Sequence, residues 1–514
     1  MTKPIKDSQK PQREPSWWSK YWFYTVLISL AVIGVPIAFF VPPLIPGLIN
    51  DGNSIVSVRQ GILAVLAGAL TMLTLSETHR KNTQEKNKNE RDHIRQVHAE
   101  RRSRYTKAVE QLANEKAAVR LGGIYTLVGL VDEWLADDSL AEDKQQEEGQ
   151  VIINNLCSYI RSPFPLAEEI EEYEARKELE KLQKSESEKL SEEESSRLQI
   201  LLKRFEDSDE YEKPKDITTD YAKFHEEQDV RRTIFSEMSK RSSVIPNKVE
   251  GDVTVTPGPW SDFDFDFSRA PVFYPLNRLT IEKGNFSFAK FYSNAVFWST
   301  KFVQTADFRG AKFTKHASFS GTTFTKYVYF LRARFTQNAN FSRVRFTQDA
   351  SFSGAVFTQT ANFNGATFKH RADFSRATFT QTADFIWATF KHRADFSRAT
   401  FTRTADFSRA VFTQTADFSR AAFSTSSPKF VETSEVLGTT FRAQFATLSK
   451  NQRAHNFTVA KGSFPIPPGE AEMDGVKYRI PVGTVLFDPS SGKTSEPAKS
   501  LDKSNDSKEE KPTE

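Results

Sequence analysis

Apolar positions follow three different rules along this chain. From Tyr21 to Asn50 there is no Asp, Glu, Lys or Arg, thirty residues where roughly 20 suffice to cross a bilayer as a helix. A second stretch, about Ile55 to Ser76, is uncharged from Gln60 onward. Two transmembrane helices are predicted, over 21–49 and 55–76. Pro36 should kink the first, and Pro42, Pro43 and Pro46 should mark its exit, because proline cannot donate a backbone hydrogen bond. Trp17, Trp18, Tyr21, Trp22 and Tyr24 stand where an interfacial aromatic belt belongs. Arg59 would lie near the outer end of the second span and snorkel.

The second rule governs 104–162, where Val109, Leu112, Val119, Leu121, Ile124, Leu127, Val128 and Val131 fall at three-and-four spacings. That spacing predicts a pair of amphipathic helices, with Gly122 and Gly123 as a break or a close helix contact. A further helix is expected at Val151–Ser162. Residues 167–213 are dominated by Glu and Lys, with sparse Leu and no sustained heptad, which suggests an inserted helical hairpin rather than a coiled coil. Gln228–Ser242 reads as a last helix.

The third rule is the most informative. Phe recurs at 286, 291, 297, 302 and so on to 418 and 423, 26 consecutive positions whose steps alternate five and six. A helix is excluded: at about 100° per residue, a five-residue step throws every second Phe to the opposite side. A strand period of two fails because five is odd. What fits is a coil of short straight sides, each contributing one inward Phe. The ladder through Phe363, Phe368, Phe374, Phe379, Phe385, Phe390, Phe396 and Phe401 is therefore core, and the small residue two positions before most of these Phe fills the remaining space.

The pattern resembles the pentapeptide-repeat family, A-D/N-Φ-S/T-X, in a Phe-centred form. The resemblance implies a right-handed quadrilateral β-helix with four pentads per coil. This chain departs from it by one extra residue per pair of pentads, such as Thr382 or Arg393, placed at a corner, so that a coil takes 22 residues. The sequence supports 22 independently, since KHRADFSRATF at 369–379 recurs identically at 391–401. At about 4.8 Å per coil, thirteen 11-residue units make roughly six and a half coils and a rod about 30 Å long. The string AVEQL…VRLGGIYTL…YIR, within about 60 residues, is similar to the helical domain of bacterial membrane-associated pentapeptide-repeat proteins. That domain is the expected N-terminal cap of the rod.

The resulting fold class is mixed: two transmembrane helices, an α-helical domain and the β-helix. The expected division is a cytoplasmic tail at 1–20, the spans at 21–49 and 55–76, and a juxtamembrane and helical domain at 77–166. A charged insertion or linker follows at 167–227, and a helix at 228–250 leads into the β-helix at 260–423. The ladder stops there, and a C-terminal cap with a small β element fills 424–489 before a disordered tail at 490–514.

Charge adds orientation. Lys3, Lys6, Lys10, Arg13 and Lys20 precede the first span, Arg59 alone lies between the spans, and nine Lys or Arg lie between Arg80 and Arg104. Both termini are therefore expected in the cytoplasm of a bacterial plasma-membrane protein. A cleaved signal peptide is a poor description of so long and proline-broken a run. Cys157, the single cysteine, excludes an intramolecular disulfide.

No catalytic string is present: no phosphate loop, dinucleotide fingerprint, G-x-S-x-G elbow or H-E-x-x-H. The expectation is a non-enzymatic protein without cofactor. His370 and His392 should stack on one edge, but Lys369, Arg371, Lys391 and Arg393 would repel a metal ion, so the six form a candidate basic surface stripe. The Asp that follows Ala in the repeat is read as structural. Between Phe286 and Phe423 there are 19 Lys or Arg against 7 Asp, an excess of 12. Well-studied rods of the resembled superfamily are acidic, imitate DNA and bind topoisomerase, and a basic rod cannot do that electrostatically. The expected function is a membrane-anchored scaffold or interaction module, with the bilayer, an unidentified protein and anionic lipid as partners, and a homodimer allowed. The alternative is a nucleic-acid or topoisomerase-related binder, which the lack of surface aromatics for base stacking disfavours.

Overall fold

The computed structural model describes residues 17–45, 52–184, 190–206, 217–244, 256–274, 284–297, 300–434, 438–448 and 453–501. The chain divides into two compact units, Met1–Arg102 and Ser103–Glu514.

In the first unit, helix α1 (Trp17–Ser29) runs through a π-turn at Leu30–Gly34 into α2 (Val35–Phe40) and a short 3₁₀ turn at Pro42–Leu44. The π-turn directly precedes Pro36, whose missing N–H disrupts the helical ladder where the sequence predicts a kink. Residues 46–49, the expected end of the span, and most of the expected tail lie outside the described residues. Helix α3 (Gly52–Leu112) then continues for 61 residues without a break. Two helical stretches, Tyr21–Phe40 and Asn53–Leu112, are long and apolar enough to cross a membrane. Large apolar side chains along them, among them Phe40, Val65 and Met72, are exposed. Arg59 donates to the Phe39 carbonyl at 3.0 Å, so its charge rests on the carbonyl end of α2.

The second unit begins with helices packed as a cap. The chain turns at 113–116, where Arg120 donates to the carbonyls of Asn114 and Glu115, and α4 (Ala117–Leu135) follows. The break therefore precedes Gly122 and Gly123, which stay helical. Gly123 is the close contact, because a Cβ there would sit 2.8 Å from the Ala108 carbonyl. Helix α5 (Glu142–Arg161) is longer than the sequence suggests. Helix α8 (Ile217–Ser242) begins eleven residues before the expected start at 228. Its polar first turns hide a buried contact, Phe224 against Phe273 with centroids 5.1 Å apart. The expected hairpin is present as α6 (Pro165–Lys184) and α7 (Glu192–Phe205), tied by the paired guanidinium–carboxylate contacts Arg204–Glu171 and Arg197–Glu178.

From Pro271 onward the chain winds through two-residue strands into four parallel sheets. Each strand pairs with the strand 22 residues away, as in Ala372↔Ala394, Thr378↔Thr400 and Phe379↔Phe401. We number the faces by one coil: the first carries Ala372–Asp373, the second Thr378–Phe379, the third Ala383–Asp384 and the fourth Thr389–Phe390. The parallel solenoid of about six turns with 22-residue coils follows the sequence pattern. Every Phe of the 363–401 ladder is fully buried. Each stacks on its equivalent one coil on, as in Phe363–Phe385 at 4.9 Å and Phe374–Phe396 at 5.0 Å. Parallel rings along a column and edge-on rings between columns fill the tube.

The ends differ from expectation in informative ways. The ladder does not stop at Phe423. Phe430 stacks below Phe407 at 5.4 Å, Phe445 below Phe412 at 4.9 Å and Phe457 below Phe418 at 6.0 Å. Loops between these residues lengthen the steps and erase the five-six rhythm while the columns persist. The strand Val485–Phe487 extends the fourth face once more. The small β element is a hairpin, Pro468–Met473 with Val476–Pro481, closed by Asp474 and Gly475, both at positive φ. Residues 490–501, expected in a disordered tail, are instead placed against it: Lys499–Ser500 pairs with Gly469–Glu470, and the rest of the expected tail lies outside the described residues.

At the other end, Arg231 is buried and joins the helical cap to itself and to the first coil. It donates to Glu227 at 2.7 Å, to the Ile160 and Ser162 carbonyls at 2.9 and 3.1 Å, and lies over the rings of Phe164 and Phe273. Trp260 and Arg241 both bond Asp132, and Phe235 packs on Phe267 at 4.6 Å. Cys157 lies in this core, where burial pushes its thiol up to about 12 and leaves it unreactive.

Candidate interaction surface

Two kinds of corner alternate around each coil, and together they account for the polar residues of the repeat. Between the first and second faces, and between the third and fourth, the turn residue has positive φ. The Asp or Asn two positions before each Ser-like residue closes that turn: Asp373 accepts from the Ser375 N–H at 3.0 Å, Asp395 from Ser397 at 3.1 Å, and Asn340 from Ser342 at 2.9 Å. These are Asx turns, so the Asp column is structural. At the other corners the connection is three residues long, and this is where Thr382 and Arg393 sit. There the Thr after Phe bonds a carbonyl of the previous coil, as in Thr336 to Phe313 and Thr413 to Phe390, both at 3.0 Å.

The predicted stripe occupies the corner between the fourth and first faces. Its His370 and His392 rings stack at 5.0 Å and 3°. Arg371 and Arg393 are neutralised: Arg371 reaches Asp373 and Asp395 at 3.3 Å, and Arg393 reaches Asp395 and Asp417 at 2.9 and 2.8 Å. Each guanidinium thus bridges two coils. Lys369 and Lys391 have no ion-pair partner among the described residues and are exposed. No group of three or more metal-ligating side chains occurs among the described residues.

A second basic column was not read from the sequence. It runs along the corner between the first and second faces through Arg332, Gly354, Arg376, Arg398 and Arg420, all at φ between 55° and 64°. The alternation of Arg with Gly at one register is visible only once the 22-residue coil is aligned and the backbone conformation is known. These arginines are exposed and have no ion-pair partner among the described residues.

Part of the rod's basic surface is already covered. Helix α6 lies along the second face of the first coils, with Glu168 3.2 Å from Lys290 and Glu174 3.9 Å from Lys315. Burial alone would raise the Glu171 carboxyl, but Arg204 and the charges of Lys312 and Lys315 hold it low. A cleft of 340 Å³ between hairpin and rod is lined by Glu178, Lys181, Arg197, His316, Gln337 and Gln359. Surface aromatics are present after all: Phe288, Tyr327 and Trp387 are exposed. They stand at three different corners, so they make no shared platform for bases. Trp387 instead stacks with Arg409 at 4.8 Å.

Residues 319–367, 330–378 and 363–411 match the family described as Pentapeptide repeats (9 copies). The solenoid is therefore a pentapeptide-repeat structure, and pentapeptide-repeat proteins are in general structural and interaction modules; no enzyme family is indicated. No curated protein and no solved structure matches the chain.

Proposed function

We propose that this chain is a membrane-anchored, non-enzymatic scaffold that presents a basic pentapeptide-repeat solenoid to a partner protein. The observation that carries the reading is the pairing of two membrane-length apolar helices with a rigid rod whose polar residues are spent on turns and coil-to-coil bonds. What is left on the outside is regularly spaced charge. The distribution of Lys and Arg around the spans supports both termini on the cytoplasmic side, and the resemblance of the helical domain supports a bacterial plasma membrane. Cross-linking in membranes followed by affinity capture of the full chain tests it. Recovery of a reproducible protein partner that depends on the solenoid is expected, and repeated capture of the chain alone overturns the scaffold role.

A further inference from the structure

The column Arg376, Arg398, Arg420 poses a physical question, since it is costly in two ways. A residue with a Cβ held in the left-handed region loses roughly 1–2 kcal/mol relative to the right-handed one. Identical charges stacked about one strand spacing apart, roughly 4.8 Å, repel each other. The fold requires neither: Gly310 and Gly354 occupy the same register of the same corner with φ of 64°. Hydrogen bonds fix the backbone in place, with the N–H of Arg376 on the Ser397 carbonyl, Arg398 on Ser419 and Arg420 on Thr458, at 2.9, 2.9 and 2.8 Å. The three side chains therefore leave one edge of the rod from backbone positions that cannot relax apart. Non-glycine residues hold this left-handed position at other turns too, Phe288, Arg343, Trp387 and Arg409 among them, so what sets the column apart is three identical charges on successive coils.

The neighbouring charges narrow that use. The first face, which the arginines border, carries Asp373, Asp395 and Asp417; Arg371 and Arg393 engage all three, which leaves one carboxylate charge in excess. The opposite border of the same face carries Lys369 and Lys391. One face of the later coils thus offers five exposed cations against two carboxylate charges, the excess one of the Asp column and Asp349, which is exposed one coil before Arg371 and accepts its backbone N–H. The balance stays positive, whereas the acidic hairpin lies against Lys290 and Lys315 of the earlier coils. No exposed aromatic lies on that stretch of the face, which argues against single-stranded nucleic acid. Tethering of the chain to a bilayer gives lipid headgroups a high effective concentration at this surface.

We infer that Arg376, Arg398 and Arg420, with Lys369 and Lys391, form a binding edge for the phosphate headgroups of anionic phospholipids. The inference rests on the membrane attachment proposed above.

The test uses the full chain assembled into zwitterionic nanodiscs and measures capture of phosphatidylcholine vesicles with and without phosphatidylglycerol. Capture only of the vesicles that contain phosphatidylglycerol is expected. Replacement by Arg376→Gln, Arg398→Gln and Arg420→Gln together should weaken it by roughly a hundredfold, at about fivefold per charge near an anionic surface. The Gly triple variant at the same positions should lose capture equally while remaining folded, because it relieves the left-handed strain. Lys290→Gln with Lys312→Gln and Lys315→Gln removes the same charge elsewhere and should leave capture intact. Equal loss from both sets, capture of neutral vesicles, or binding of duplex DNA in place of vesicles would overturn the proposal. Failure of the chain to enter nanodiscs would instead overturn the anchor, and vesicle capture by the free chain would still be measurable.

Discussion

Phe385→Ala removes one ring from the middle of the solenoid. Phe385 is fully buried, stacked between Phe363 and Phe407 at 4.9 Å on either side with interplanar angles of 3° and 5°. It meets the edges of Phe374 and Phe396 at 5.3 Å each. Truncation of a buried Phe costs about 3–5 kcal/mol, more where the site cannot collapse. Collapse is blocked here, because the Phe385 N–H donates to the Asp406 carbonyl and the Phe363 N–H to Asp384, both at 2.7 Å. The stacked and edge-on contacts add about 0.5–1.5 kcal/mol each beyond area, though not additively. The expected loss is therefore near the top of the range, about 5 kcal/mol. Phe457→Ala in the last coil is the comparison: its ring is half-buried, 6.0 Å and 21° from Phe418, and among the described residues no second ring stacks on its other side. About 2–3 kcal/mol is expected there. Denaturant titration of the full chain in detergent, read with hydrogen exchange of individual coils, measures both. Equal costs at the two positions, or less than about 1 kcal/mol at Phe385, would refute the stacked-column account.

At the helical cap, Arg231→Met leaves Glu227 with only Arg120 at 3.3 Å and the Tyr159 hydroxyl at 3.0 Å and frees two carbonyls, so a loss of about 2–3 kcal/mol is expected by thermal unfolding, and a Glu227→Gln background should recover part of it. Asp384 is pushed above the ordinary carboxylate range by burial and by the charge of Asp406. A raised carboxyl costs stability while ionised, so this site should gain stability as pH falls through the raised value and level off below the ordinary range near 4. Asp384→Asn keeps the Asx turn, as Asn340 and Asn362 do in the same column, and should add less than about 1 kcal/mol at neutral pH while flattening that dependence. A variant less stable than the parent at pH 7 would show that the charge itself is needed.

The regular coils were legible because each Phe obeys one spacing and each Asp one turn, and both signals repeat. The final coil was not: Phe430, Phe445 and Phe457 satisfy the same columns through loops of unequal length, and packing ignores the length of chain between contacts. The first turns of α8 escaped notice because its buried face rests on Phe224 and a few neighbours within an acidic stretch. Of the candidate surface, the stripe at 369–371 and 391–393 was readable as identical text, yet its net charge was not, since Arg371 and Arg393 are spent on Asp columns one coil away. The arginines at 376, 398 and 420 looked like ordinary polar positions until the backbone placed them in the left-handed region.

The account stands most directly on membrane attachment. Alkaline carbonate extraction of membranes from cells expressing the full chain should leave it in the pellet, released only by detergent. Recovery of the intact chain in the alkaline supernatant would contradict an anchor through 21–49 and 55–76.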